Sequence, residues 1–368
     1  MHSILPCRSR IRRRWASFAT AQSGSSPLGC AVPSGHAKRS SPRDRGGCFI
    51  IRHRMKPKKI NTPRPEPVDA LAYPRFSGIP TFMRLPHISR AEELDIALIG
   101  VPFDGGATYR SGPRFGPRNI RAQSAMIRPW NPALNLNPFA RWRIADFGDF
   151  SINPLSIEDT YERITTQLTA VLAAGARTIC VGGDHSILLP ILRSIHRRFG
   201  PVAFVQFDAH GDTWSGYFGS PHSHGTPVRY AVEEGLIQPG FALQVGLRGQ
   251  VYSKADFDFA REHKIKIVTA EEFHDRGVTL LRKHVKGFGK RPVYITLDID
   301  VVDPAFAPGT GTPQVGGLSS AQILQCVRSL RGLQIVGADL VEVSPPYDNG
   351  EITSLLAANL LYELLCLF

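Results

Sequence analysis

From Asp95 onward, short apolar runs alternate with amphipathic stretches. DIALIGV (95–101), RTICVGG (177–183), VAFVQFD (202–208), LQVGLR (243–248), PVYITLDID (292–300) and QIVGADLVEV (334–343) are largely continuous apolar runs rather than strict alternations of apolar and polar positions. Runs of that kind predict strands buried on both faces, as in a parallel sheet. IEDTYERITTQLTAVLAAGA (157–176) carries its apolar positions at helical spacing, with Ser156 placed to cap its start and Gly175 near its end. SILLPILRSIHRRFG (186–200) reads as mostly helix, and further helices are predicted around 254–264, 320–330 and 353–366. Strands alternating with helices predict an α/β domain whose parallel sheet is covered by helices on both faces. No internal repeat is evident.

The polar positions interrupt this pattern at the ends of the predicted strands, where open α/β sheets carry their functional groups. GGDH (182–185) follows one strand, FDAHGDTW (207–214) ends another, Asp298 and Asp300 end a third, and Glu342 ends a fourth. Asp208, His210 and Asp212 stand at alternate positions, which in an extended strand puts all three on one face. Asp298 and Asp300 repeat that spacing. With His185, the candidates for a metal centre are His185, Asp208, His210, Asp212, Asp298 and Asp300: four carboxylates and two imidazoles. Four clustered carboxylates without a cation repel and raise one another's pKa. Two divalent cations balance their charge, and a carboxylate-rich shell that tolerates imidazole suits Mn²⁺ better than zinc. In two-metal sites the ions lie roughly 3.5–4 Å apart and activate a water between them.

Composition and charge narrow the setting. The 42% hydrophobic content over 368 residues is enough for a large core, and no apolar run is long enough to predict a membrane-spanning helix. The net charge of +13 would suggest a nucleic-acid partner if it were spread over the fold. It is not. Residues 1–54 hold 11 Lys and Arg against a single acid, Asp44, leaving 33 basic and 30 acidic residues elsewhere. Nucleic-acid binding is therefore set aside. The leader, rich in Arg, Ser, Gly and Pro, cannot bury a core. Two readings of it stand side by side: a transit peptide, or a start codon read too early, with Met55 as the true start. Residues 55–90, with seven prolines, read as an irregular arm on the domain surface or on a neighbouring subunit, and 91–368 as the catalytic domain. The six cysteines show no CxxC or zinc-ribbon spacing and read as reduced thiols.

Seven stretches together resemble the ureohydrolases, the arginase/agmatinase family, and most of all its agmatinase-like branch. They are VPFDGGATYRSGPRFGPRNIR (101–121), GGDHSI (182–187), FDAHGDTW (207–214), HGTPV (224–228), VGLRG (245–249), LDIDVVDPAFAPGTGTPQVGGL (297–318) and DLVEVSPPYD (339–348). The resemblance covers the chain from about residue 95 to its end. It implies a three-layer αβα sandwich around a mainly parallel sheet of about eight strands, assembled as a homotrimer or homohexamer. It also implies two Mn²⁺ per subunit, held by the six residues already counted, with the division between the ions left open. Gly211 departs from the family, whose members often carry Thr or Ala there. His224 matches the loop histidine thought to shuttle a proton to the leaving amine, with His222 as its rival. Glu342 matches the glutamate that pairs with the guanidinium, and Thr310 is expected to line the pocket. Asp303 is expected to be structural, and Asp184 to orient His185.

The implied reaction is hydrolysis of agmatine to urea and putrescine. A guanidino acid such as 4-guanidinobutyrate stands second, because the loop 110–121 holds Arg110, Arg114, Arg118 and Arg121 and no acid. Arginine itself ranks lower. Two other classes remain as contrasts: a zinc deacetylase with one metal, and a non-catalytic relative, which would be expected to have lost ligands. The expected location is cytoplasmic, or the mitochondrial matrix if the leader is a transit peptide.

Overall fold

The computed structural model describes residues 63–368. The leader, 1–54, and the first part of the arm, 55–62, lie outside the described residues. The sheet contains eight strands: β1 (Ile96–Val101), β2 (Ile144–Asp149), β3 (Arg177–Gly182), β4 (Val202–Phe207), β5 (Ile237–Leu247), β6 (Ile265–Thr269), β7 (Pro292–Asp298) and β8 (Gln334–Val341). Their order is β2-β1-β3-β8-β7-β4-β5-β6, and every ladder is parallel.

The six strands predicted from apolar runs are the interior ones. The two that were not predicted, β2 and β6, are the edges. IADFGD and IKIVT are only partly buried, so their sequences lack the continuous apolar run. Strand pleating sends alternate side chains to opposite faces. Ile96 and Leu98 of β1 join one apolar cluster with the helices Ser320–Ser329 and Ile352–Leu365. Ala97, Ile99 and Val101 join a second, with the helices Ile157–Ala173 and Leu188–Phe199. These clusters are the two seams of a three-layer αβα sandwich.

Local chemistry sets the helix limits. The Ser156 hydroxyl accepts the Asp159 amide at 3.1 Å, as an N-cap does. The helix Leu188–Phe199 stops at Gly200, whose φ of 72° ends it without a Cβ clash. The segment predicted as one helix over 254–264 is a 3₁₀ turn, Lys254–Phe257, followed by the short helix Asp258–Glu262. Part of the arm belongs to the core rather than to the surface. Phe82, Met83 and Leu85 are buried, and the Phe82 amide donates to Asp146 Oδ2 at 2.9 Å.

Candidate metal centre and active site

Four neighbouring strands in the middle of the sheet, β3, β8, β7 and β4, each end at a polar motif, so all of them open on one edge. The motifs themselves are not strand. β4 stops at Phe207, and Asp212 takes a φ of 52° in the left-handed region. Asp208 Oδ1 accepts the amide of His210 at 2.6 Å. Asp298 closes β7, and its Oδ1 accepts the amide of Asp300 at 2.8 Å within the turn Ile299–Val301. Asp184 Oδ1 accepts the amide of Ser186 at 3.0 Å. Three strand ends thus use one device, an aspartate bonded to the backbone two residues on. The side chains converge because the chain turns, not because alternate residues share a strand face.

The six candidates form two overlapping groups. His185 Nδ1 lies 3.1 Å from Asp208 Oδ2, 2.8 Å from Asp212 Oδ2 and 3.4 Å from Asp298 Oδ2. His210 Nδ1 lies 3.0 Å from Asp300 Oδ2 and 3.5 Å from Asp208 Oδ1. Asp208 therefore turns one oxygen to each group. Ligand-atom spacings suited to a metal ion occur in both His185–Asp208–Asp212 and Asp208–His210–Asp300. His185 Nδ1 and Asp212 Oδ2 are buried and lack hydrogen-bond geometry toward any partner, close as they are to each other. Burial and the charges of Asp300 and Asp208 push Asp298 well above the usual carboxylate range. Burial and Asp208 push Asp212 up to about 6. Crowded acids with bare lone pairs fit a pair of divalent cations, whose charge removes the conflict.

A shell of partners aims these groups. His185 Nε2 is 2.7 Å from Thr296 Oγ1. Thr296 donates to Asp339 Oδ1 at 2.5 Å, and Tyr294 donates to Asp339 Oδ2 at 2.7 Å. Because the Thr296 hydroxyl spends its proton on Asp339, it accepts from His185 Nε2–H, leaving Nδ1 bare toward the cluster. The protonation is assigned from these partners. Gln206 Nε2 donates to Asp208 Oδ2 at 2.7 Å and is itself held by Gln244. Asp184, expected to orient His185, instead receives the Gly106 amide at 2.6 Å and fixes that loop. Asp303 receives the amides of Ala305, Gly316 and Gly317 in a turn.

A cavity of about 770 Å³ opens over this edge, with His185, His210, Asp212, Asp298 and His224 on its inner wall. Glu342 sits behind it at the end of β8, with a φ of 65°. Its Oε1 accepts the His185 amide at 2.8 Å and faces His224 Nδ1 at 3.0 Å. Its Oε2 is buried with no partner. The Thr108 amide donates to His224 Nε2 at 3.1 Å, which places a neutral ring's proton on Nδ1, toward Glu342. Burial lowers the His224 pKa, but the Glu342 charge outweighs it and raises the group to about 9. When protonated, Nε2 can donate to Thr108 Oγ1, 2.7 Å away.

The rival His222 packs against Tyr161 and Tyr230, outside the cavity lining. Thr310 is buried and does not line the cavity; Thr312 does, with its hydroxyl 3.4 Å from Asp300 Oδ2. Of the four arginines in 110–121, only Arg110 lines the cavity, its guanidinium 4.8 Å from the centre of the Tyr347 ring. Arg114 pairs with Asp104, Arg121 pairs with Asp146 and Asp149, and Arg118 is exposed.

Residues 94–366 match the arginase family. A guanidinopropionase of Pseudomonas aeruginosa is 48% identical over 310 residues, covering 84% of this chain and 97% of that protein. A mitochondrial agmatinase of Gallus gallus is 43% identical over 290 residues, covering 78% and 85%. Among solved structures, the proclavaminate amidino hydrolase of Streptomyces clavuligerus is similar with a TM-score of 0.77 at 42% identity, over 80% of this chain and 98% of that one. A parallel eight-stranded sandwich, an acid–imidazole cluster on its central strand ends and likeness along most of the sequence lead to one placement: the chain belongs to the arginase family of hydrolases.

Proposed function

We propose that the protein is a two-manganese hydrolase that cleaves a guanidino acid to urea and an ω-amino acid. The observation that carries the reading is the doubled acid–imidazole cluster beside a buried, partnerless Glu342 oxygen. His185, Asp208, His210, Asp212, Asp298 and Asp300 would hold the metal. When bound, two Mn²⁺ supply Lewis-acid chemistry that makes water a nucleophile near neutral pH.

Glu342 Oε2 accepts an N–H of the guanidinium and presents its planar carbon to the cluster. Water adds at that carbon, and the bond from carbon to the tail nitrogen breaks. His224 hands a proton to the departing nitrogen and is reprotonated from the open cavity. The products balance as one urea and one protonated amine.

The acid tail is favoured over agmatine by charge. Arg110 is the only Lys or Arg lining the cavity and has no carboxylate partner among the described residues. Apart from Asp212 and Asp298 of the cluster, no acid among the described residues lines it. A carboxylate tail gains a cation there, while agmatine's ammonium finds no acid of its own. Agmatine, placed first from the sequence, becomes the second reading, kept because the aromatic wall of Trp214, Tyr217 and Tyr252 can face an ammonium.

The test is urea release from 3-guanidinopropionate, 4-guanidinobutyrate and agmatine on one preparation. A preference of about a hundredfold in kcat/KM for an acid, roughly 2.7 kcal/mol, is expected. The same preference for agmatine would reverse the order, and full activity in metal-free protein would remove the two-metal reading.

A further inference from the structure

Arg248, in the motif VGLRG just past β5, has no carboxylate partner among the described residues, although it is largely buried near several acids. Its guanidinium is spent on backbone carbonyls. Nη2 donates to Asp300 O at 2.7 Å and Gln314 O at 2.8 Å, with Val302 O at 3.4 Å. Nη1 donates to Val301 O at 3.2 Å and Gly246 O at 3.1 Å, and Nε to Val315 O at 3.2 Å. The planar fork of five donors is thus fully occupied.

Apart from Gly246 O on Arg248's own strand, those carbonyls belong to two segments with separate tasks. One is the turn after β7 that carries Asp300. The other, 314–315, continues the cavity wall made by Thr312, Pro313 and Gln314. The Arg248 amide also donates to Ala209 O at 3.0 Å, inside the segment of Asp208 and His210, and the Ala209 amide donates to Asp300 Oδ1 at 3.0 Å. One residue therefore ties together the backbones of Asp208, His210 and Asp300. Room for the guanidinium is kept by Gly317, where a Cβ would stand 2.5 Å from Nη2. No comparable bond reaches His185 or Asp212 from Arg248.

We propose that Arg248 is a positioning residue for one ion only: it holds the Asp208–His210–Asp300 group at ligand spacing while leaving the His185–Asp208–Asp212 group to its own partners. The inference rests on the two-metal reading above. A lysine at 248 has one ammonium in place of the fork and cannot reach carbonyls on both segments at once.

The experiment titrates full-length Arg248→Lys and Arg248→Gln with Mn²⁺ alone after chelation, counting bound ions by electron paramagnetic resonance of the free metal. Thermal melts of the metal-free proteins run alongside. The expected result is that one of two ions binds roughly 10- to 100-fold more weakly, the usual cost of losing a ligand's support, while the other ion and the metal-free melt stay close to wild type. Lysine should lose less than glutamine. Two ions bound with wild-type affinity in both variants would overturn the inference, as would equal weakening of both ions or collapse of the metal-free melts. Failure of the wild-type protein to bind two ions would instead overturn the two-metal reading.

Discussion

β4 and the five residues after it obey different rules. Val202–Phe207 is buried at every position, extended and paired on both sides. Asp208–Asp212 is turned, carries a left-handed aspartate and presents lone pairs without partners. The same division recurs at β8, which is apolar through most of its length and then bends at Glu342 with a φ of 65°. Strand bodies gain by burying apolar surface. Strand ends hold arrangements that cost energy alone and become useful with a cation or substrate in place. Stability and chemistry should therefore separate along each strand, and single substitutions can test where they part.

The largest effect is expected at the ends. Asp300→Ala should lose at least one Mn²⁺ and nearly all urea release while keeping the wild-type circular dichroism spectrum. Two Mn²⁺ retained per chain would break the division at its strongest point. His224→Gln should lower kcat by about 10²- to 10⁴-fold, the range for a lost proton donor, with metal content unchanged. Phe204→Ala in the body of β4, a fully buried ring, should cost about 3–5 kcal/mol in denaturant unfolding. Its kcat/KM per folded molecule should stay within twofold or so of wild type. A large fall there would mean that the bodies tune the chemistry.

Thr296→Val sits at the border between the two regions. It strands His185 Nε2–H and an Asp339 oxygen, so Mn²⁺ affinity should fall roughly 10- to 100-fold, with little change in thermal melting of the holoprotein at saturating Mn²⁺. The smallest effect is expected at the cavity mouth. Arg110→Ala should reduce kcat/KM for 4-guanidinobutyrate by about tenfold, about 1.4 kcal/mol, and leave agmatine almost unaffected. Equal losses on both substrates would assign Arg110 to the wall rather than to the tail.

What could be read in advance follows the same division. The six interior strands announced themselves because burial on both faces demands an unbroken apolar run, whereas β2 and β6 at the edges needed no such run and gave no signal. That the six acids and imidazoles would gather was readable from their placement at three strand ends, β3, β4 and β7. Their geometry was not: alternate spacing suggested a strand face, and hydrogen bonds from Asp208 and Asp298 to the backbone two residues on made turns instead. Thr310 was expected in the pocket and Thr312 lines it, because a loop has no periodicity from which to assign facing. Thr296, Asp339 and Gln206 went unnoticed, though a signal existed: polar side chains inside otherwise apolar, fully buried strands need a partner. Arg248 gave no such signal, because its partners are carbonyls, which every residue has.

The strand order has a consequence for how the protein is made. His185, Asp208 and Asp298 all precede β8 in the chain, yet β8 lies between β3 and β7. As the polypeptide leaves the ribosome, the sheet therefore has a vacant central place until residues 334–341 emerge, and the helix Ile352–Leu365 that covers one face comes later still. Pairing of this range is slow compared with local helix formation. A chain interrupted before residue 334 therefore lacks the strand that joins β2-β1-β3 to β7-β4-β5-β6, and with it Glu342.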